Sequence, residues 1–354
     1  MGFATFWCKE CWTQKIIHFT CKRRFCSSCS KPLCDKRVNN VRKRLPTNIS
    51  YMHITFTLPE ELRDFWLKYR DIWVLSVIFQ VAQQLIKDFF LKRFKCEPWI
   101  FSVIHTFWSS VNRNPHLHFI VTLWGIYNDS DWNKQWKDVE GKYISFGAIK
   151  NQRRAFIIKA LRKVVKKQGD EENYKKWNRV FKLLFEKDWY VRLSEPILDV
   201  VKVMNYVSRY MYRAPVSITK IIDSNLTDDP YESTITIKYM HKRPVKEMTI
   251  SYTIFDFLWM IARQLPDKNF RVVRYAGIFA QNKRKHCLEV IQNLPRNNFT
   301  RIPKRPISFV ERLFALSWKN PLQCTCCGNS MELISITYVS KRTQQFHTKY
   351  FDTS

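Results

Sequence analysis

A chain of 354 residues with 60 Lys+Arg against 30 Asp+Glu carries a formal net charge of +30, a surplus that opposes compaction unless a polyanion offsets it. The basic residues are spread along the whole chain among 15% aromatics, which suits a nucleic-acid channel better than a detachable basic tail. With only 7 glycines and no phosphate-binding loop, a glycine-rich nucleotide site is not expected. The longest apolar run, residues 72–82, contains Gln80 and falls short of the ~20 residues of a membrane span.

No apolar run precedes Cys8, so no signal peptide is expected, and the cysteines of a cytoplasmic chain are read as thiols or metal ligands. Residues 1–36 hold Cys8, Cys11, Cys21, Cys26, Cys29 and Cys34. Two pairs, Cys8/Cys11 and Cys26/Cys29, have the two-residue gap that lets both sulfurs of one turn reach a tetrahedral zinc ion. So short a segment has no core of its own, and zinc would supply its folding energy. Cys21 is an alternative ligand, and spacing alone leaves the four open.

A basic linker over residues 35–44 leads to a predicted strand at 51–58, ended by Pro59, and Glu60 and Glu61 open a helix reaching about Lys92. A hairpin is predicted next, with strands at 99–107 and 116–122 around a loop at 109–114. Residues 150–190 read as helical, with Ala155, Ile158, Leu161 and Val165 at helical intervals, and 189–193 as a short strand. A helix over about 198–212 places Tyr206 and Tyr210, four apart, on one face, with Arg209 and Arg213 beside them. Strands are predicted at 216–221, 233–241 and 247–252, then a helix at 255–264 and a basic segment at 271–285. The tail carries Cys324-Thr-Cys-Cys327-Gly328. This second knuckle needs two further ligands, His347 being a distant candidate and Cys326 a competitor.

The chemistry centres on Pro115-His-Leu-His-Phe-Ile-Val121. In a strand, His116 and His118 project together, roughly 7 Å apart at their backbones, while Leu117 points into a core. Two neutral imidazoles side by side make half of a divalent-metal site. His105 on the paired strand is a candidate third ligand if the hairpin register puts it on the same face, and His53 on the first strand is a weaker one. A metal site beside a tyrosine helix suits DNA nicking by a covalent route, with a tyrosine as nucleophile and Mg²⁺ or Mn²⁺ as the ion. Arg209 and Arg213 are placed to neutralise phosphate oxygens.

These residues resemble the rolling-circle transposases with a His-hydrophobic-His metal motif, in the insertion-sequence branch with two tyrosines and an N-terminal zinc-binding domain. The segments carrying the likeness run in order through Phe19-Thr-Cys-Lys-Arg-Arg-Phe-Cys-Ser-Ser-Cys29, Thr55-Phe-Thr-Leu-Pro-Glu-Glu-Leu-Arg63, His105-Thr-Phe-Trp108 with Asn114-Pro-His-Leu-His118, and Tyr206-Val-Ser-Arg-Tyr-Met-Tyr-Arg213. Phe270-Arg-Val-Val-Arg-Tyr275 with Gly277, and Asn320-Pro-Leu-Gln-Cys324 with Cys327, continue it. The resemblance implies His116 and His118 as metal ligands, Tyr206 and Tyr210 as nucleophiles, and Cys8, Cys11, Cys26 and Cys29 as zinc ligands. It further implies an α+β fold, an antiparallel-sheet nuclease core flanked by helices, with a zinc module at 1–45, a catalytic domain at 46–295 and a C-terminal segment at 296–354. The expected partners are single-stranded DNA at element ends and target DNA, with no membrane, in the cytoplasm and at the nucleoid. Replication initiators and relaxases share this chemistry, and a decayed, zinc-dependent DNA-binding protein is the non-enzymatic alternative. Relatives usually carry a helical segment before the first cysteine pair, glycine where Trp108 stands, and an aromatic where Ala276 stands.

Overall fold

The computed structural model describes residues 2–19, 26, 49–69, 72–107, 113–128, 134–142, 144, 146–199, 202–203, 216–242, 245–264, 270–278, 280, 320, 322–340 and 343–351. Two short antiparallel strands come first, β1 (Phe3–Trp7) and β2 (Gln14–His18), and the turn between them holds Cys8 and Cys11. Next, β3 (Tyr51–Thr57) is buried along nearly its whole length, with a strand paired on each edge.

The long helix expected after Pro59 is two helices, α1 (Glu61–Lys68) and α2 (Ile72–Phe94). The break falls at Tyr69, which leaves helical dihedrals (φ −106°, ψ 51°) while its ring packs 4.6 Å from Phe65 and 6.2 Å from Trp177. By length and composition α2 is apolar enough to cross a bilayer. Here Val74, Leu75, Ile78, Phe79, Ala82, Leu85, Ile86, Phe90 and Phe94 are buried in the protein, a helical stripe wide enough to face a core.

The hairpin is longer than the sequence suggests, pairing β4 (Glu97–Phe107) with β5 (Arg113–Asn128). The far end of β5 also pairs with β6 (Lys134–Asp138). The helical stretch that follows is divided into α3 (Phe146–Lys167) and α4 (Glu171–Glu186). Gly169 turns the chain at φ 72°, and the Asp170 side chain caps α4 by accepting from the Asn173 amide, satisfying one of its open donors. After β7 (Val191–Leu193), the expected strand at 216–221 is a short 3₁₀ turn, Ile218–Lys220, followed by β8 (Ile221–Asn225). Then come β9 (Thr234–Lys242), β10 (Val245–Thr253), α5 (Ile254–Ala262), β11 (Val273–Gly277), β12 (Glu332–Val339) and β13 (Phe346–Tyr350).

These elements make an α+β protein whose strand pairs are antiparallel. The chain divides into two compact units. One holds a four-stranded sheet in the order β13-β12-β1-β2. β1 is a short strand that pairs with β2 on one edge and with β12, more than 300 positions on, on the other.

The other unit contains a six-stranded sheet, β11-β4-β5-β3-β7 with β6 beside β5, and a small sheet, β10-β9-β8. The small sheet closes over Val216, Ile237 and Phe257. Ile54, Phe56, Ile104, Leu117 and Phe119 share one face of the large sheet by register. Helices cover that face: the Gln83 amide of α2 donates to Ser102 Oγ at 2.7 Å. From α3, the fully buried Arg153 lies 4.8 Å over the Phe56 ring and 5.1 Å over Trp189. Its guanidinium donates to the carbonyls of Thr57 and Tyr190, and burial brings its pKa down to about 9.

At the sheet edge, Gly277 ends β11 with φ 72°, and a Cβ there would collide with the Pro98 carbonyl oxygen. A side chain is therefore opposed by both backbone conformation and space. Gly277→Ala should destabilise this unit by about 1–3 kcal/mol, read as a lower urea midpoint; an unchanged midpoint would show that this edge is not held as described.

Candidate functional site

The face of the large sheet opposite the helices gathers imidazoles. Thr57 lies opposite His116, Thr55 opposite His118 and His53 opposite Ile120 across β3–β5, while His105 lies opposite His116 across β4–β5. Residues directly opposite in an antiparallel pair point the same way, so His53, His105, His116 and His118 share one face. The register of His105, open from sequence, is settled.

Within this face the rings form two pairs. His105 Nδ1 stands 3.4 Å from His116 Nε2, and His53 Nε2 stands 2.9 Å from His118 Nδ1, with the rings near parallel at 16°. The pairs adjoin through His116 and His118, whose centroids are 4.8 Å apart. His116 Nδ1 lies 2.6 Å from the Asn114 carbonyl oxygen, so it carries the proton and donates, leaving Nε2 as a lone-pair donor toward His105. Two nitrogens bound to one ion at ~2.1 Å and a tetrahedral angle stand ~3.4 Å apart. The His105–His116 spacing therefore fits a shared cation.

Burial, helped by Arg192 and His116, brings His53 down to about 4. Burial also holds His118 well below the usual histidine range, with His116, His53 and His105 adding to it. Neutral imidazole is the form that binds metal. Arg192 on β7 is exposed and lies opposite Thr55, which puts a cation on the rim of the imidazole face. No sequence motif marks Arg192; only the pairing of β3 with β7 brings it there.

The other cluster is sulfur. Cys8, Cys11, Cys324 and Cys327 place their Sγ atoms within 4.8 Å of one another, with Cys8–Cys327 and Cys11–Cys324 both at 3.4 Å. Four thiolates around zinc at ~2.3 Å would stand ~3.8 Å apart, so the cluster needs only a small expansion to hold that ion. Hydrogen bonds from the Thr13 hydroxyl and amide bring Cys11 down to about 6, and the amides of Cys327 and Cys326 lower Cys324. Against the pull of the Asn329 amide, Cys8, burial and Cys11 push Cys327 up to about 12. A divalent cation relieves that crowding of charge. Among the described residues this is the only group of three or more candidate ligands so tightly gathered; the two imidazole pairs do not close to that spacing.

Cys8 and Cys11 meet the C-terminal knuckle rather than Cys26, which lies outside the group; Cys29 and Cys21 fall outside the described residues. The β1–β12 pairing brings the two knuckles together. His347, the distant candidate, instead stacks on Tyr338, and Cys326 is exposed beyond the cluster. Tyr206, Tyr210, Arg209 and Arg213 lie outside the described residues. Ahead of them in the chain, the Asp199 side chain accepts from the Lys202 amide at 3.2 Å and its carbonyl accepts from the Val203 amide at 3.1 Å.

Residues 100–286 match the family described as "Putative transposase", and residues 1–58 match the "Transposase zinc-binding domain". The chain belongs to this transposase family. It is similar to the transposase for insertion sequence element IS801 of Pseudomonas savastanoi pv. phaseolicola, 25% identical over 328 residues, covering 90% of this chain and 75% of that protein. It is also similar to "Putative transposase y4qJ" of Sinorhizobium fredii (strain NBRC 101917 / NGR234), 22% identical over 338 residues and covering 90% and 81%. No solved structure matches the chain.

Two outcomes follow from these clusters. Cys324→Ser and Cys327→Ser should each cost the protein its structural zinc as fully as Cys8→Ser, measured as bound metal by atomic emission; retention of zinc by both C-terminal variants would return the site to Cys26 and Cys29. In metal-free protein, His53 stays neutral down to about pH 4, whereas the unfolded chain takes up that proton near 6.5. The unfolded state then binds more protons below 6.5, so stability should hold above that pH and fall toward pH 4, with His118 adding in the same direction. Urea midpoints at pH 7.5, 6 and 5 check this, and a flat profile would contradict it.

Proposed function

We propose that this transposase nicks and rejoins single-stranded DNA at element ends through a 5′-phosphotyrosine, with a divalent cation held by His116, His118 and His105, in a rolling-circle mode of transposition. The observation that carries the reading is the hairpin register: it sets His105 opposite His116 on the face that also bears His118. Family membership supplies the DNA substrate, and the net charge of +30 suits it.

The chemistry of the donors suits a small divalent ion, and the 3.4 Å between His105 and His116 matches a shared one. The set is built of imidazoles without a carboxylate, which favours Mn²⁺ over Mg²⁺, the ion preferring oxygen ligands. When bound, such a cation would supply charge neutralisation at a non-bridging oxygen of the scissile phosphate. The rest is work for the chain's own groups. A hydroxyl of Tyr206 or Tyr210 attacks phosphorus as it gives up its proton. The bond to the 3′ oxygen breaks, the 3′-hydroxyl is released, and the 5′ end stays on the tyrosine. Attack by a 3′-hydroxyl on that phosphotyrosine reverses the chemistry, so rejoining needs no nucleotide cofactor. Two tyrosines four residues apart would let one hold the donor strand while the other opens the target. Arg192, with Arg209 and Arg213, would hold the phosphates beside the metal face, and the protein would act in the cytoplasm at the nucleoid.

The test is a labelled single-stranded oligonucleotide incubated with protein and Mn²⁺. Tyr206→Phe combined with Tyr210→Phe should abolish the denaturation-resistant adduct while single-strand binding persists. His116→Ala should slow nicking by at least about 100-fold, the loss expected when several kcal/mol of charge stabilisation are removed. Adducts formed by the double tyrosine variant would refute the nucleophiles; full-rate nicking by His116→Ala would refute the metal site.

A further inference from the structure

We propose that His53 is a positioning residue that holds His118 in the one tautomer able to bind a cation through Nε2. The inference rests on the proposed metal site at His116 and His118, and adds to it a fourth histidine with a different task.

Only one proton can occupy the 2.9 Å contact between His53 Nε2 and His118 Nδ1. If His53 donates it, neutral His118 must carry its own proton on Nε2 and has no lone pair there for a metal. If His118 donates, Nε2 is free and His53 must be protonated on Nδ1. The second arrangement is the metal-competent one, and it requires an acceptor at position 53.

His116 is arranged in the same way. Its Nδ1 is engaged by the Asn114 carbonyl, which leaves Nε2 toward His105. Each histidine of the pair thus has its Nδ1 occupied, one by a main-chain oxygen and one by His53. Fixing the outer ring nitrogen is how metal-binding histidines are commonly oriented.

His53 is itself held rigidly. Its N–H donates to Ser194 Oγ at 2.9 Å, and its carbonyl accepts from the Ser194 amide at 2.9 Å. Its ring is buried and near parallel to that of His118, and Thr55 Oγ1 lies 3.3 Å from His53 Nε2 and 3.4 Å from His118 Nδ1. Because the two nitrogens of His118 point away from each other, a group bonded to Nδ1 lies on the far side from an ion at Nε2. That placement separates His53 from a direct ligand.

The experiment is a Co²⁺ titration of the full chain, its sulfur site first filled with zinc, followed by visible absorption. His53→Leu should weaken Co²⁺ binding by about 10–100-fold. His53→Gln, whose Oε1 can accept from Nδ1–H, should restore most of that affinity and leave the d–d spectrum as in the parent protein. Should the leucine variant fail to fold by circular dichroism, His53→Asn, polar but too short to reach His118, takes its place. Equal affinity in the leucine and parent proteins would overturn the proposal. So would a glutamine variant as weak as leucine with an altered spectrum, which would make His53 a ligand. His118→Ala serves as the control: if it binds Co²⁺ as tightly as the parent, the metal site itself is wrong, and His53 falls with it for that separate reason.

Discussion

The antiparallel register that ties β5 to both β3 and β4 is the constraint on which the site depends. Side chains alternate along a strand, so a slip of one residue would turn His116 and His118 into the helix-covered core and bring Leu117 and Phe119 out. The opposite face forbids that slip. Ile54, Phe56, Ile104, Leu117 and Phe119 lie together beneath α2 and α3, and exposing several such side chains would cost roughly 1.5–3 kcal/mol each. The hydrophobic core thus selects the polar face that stands behind it.

Arg153 reinforces the same choice from the helix side. Its guanidinium holds the carbonyls of Thr57 and Tyr190, and Thr57 is the residue opposite His116. On the imidazole face, burial does different work. A chain of net charge +30 already disfavours protonated histidine, and the burial of His53 and His118 disfavours it further. Neutral rings keep lone pairs for a cation, and the basic surround suits a phosphate beside it.

Much of this was legible in the sequence because it is local. The shared face of His116 and His118 follows from a spacing of two, and the sulfur turns from a gap of two. His105 was legible only as a candidate, since its face depends on a bulged hairpin register that no local rule supplies. His53 was visible as a strand residue, but its contact with His118 spans 65 positions. Arg192 gave no signal at all. The break at Tyr69 was hidden because residues 61–94 have unbroken helical composition, and only the aromatic contacts with Phe65 and Trp177 reveal why the chain turns. The family resemblance joins Cys8 and Cys11 to Cys26 and Cys29, whereas the pairing of β1 with β12 gathers them with Cys324 and Cys327.

That last pairing has a consequence for biosynthesis. Cys11 and Cys324 are separated by 313 positions, so the sulfurs of the first turn leave the ribosome long before their counterparts are made. Until residues 324–339 have been made, β1 lacks β12 and the early thiols lack their partners. A nascent chain that stops short of Cys327 could therefore not complete this sulfur cluster.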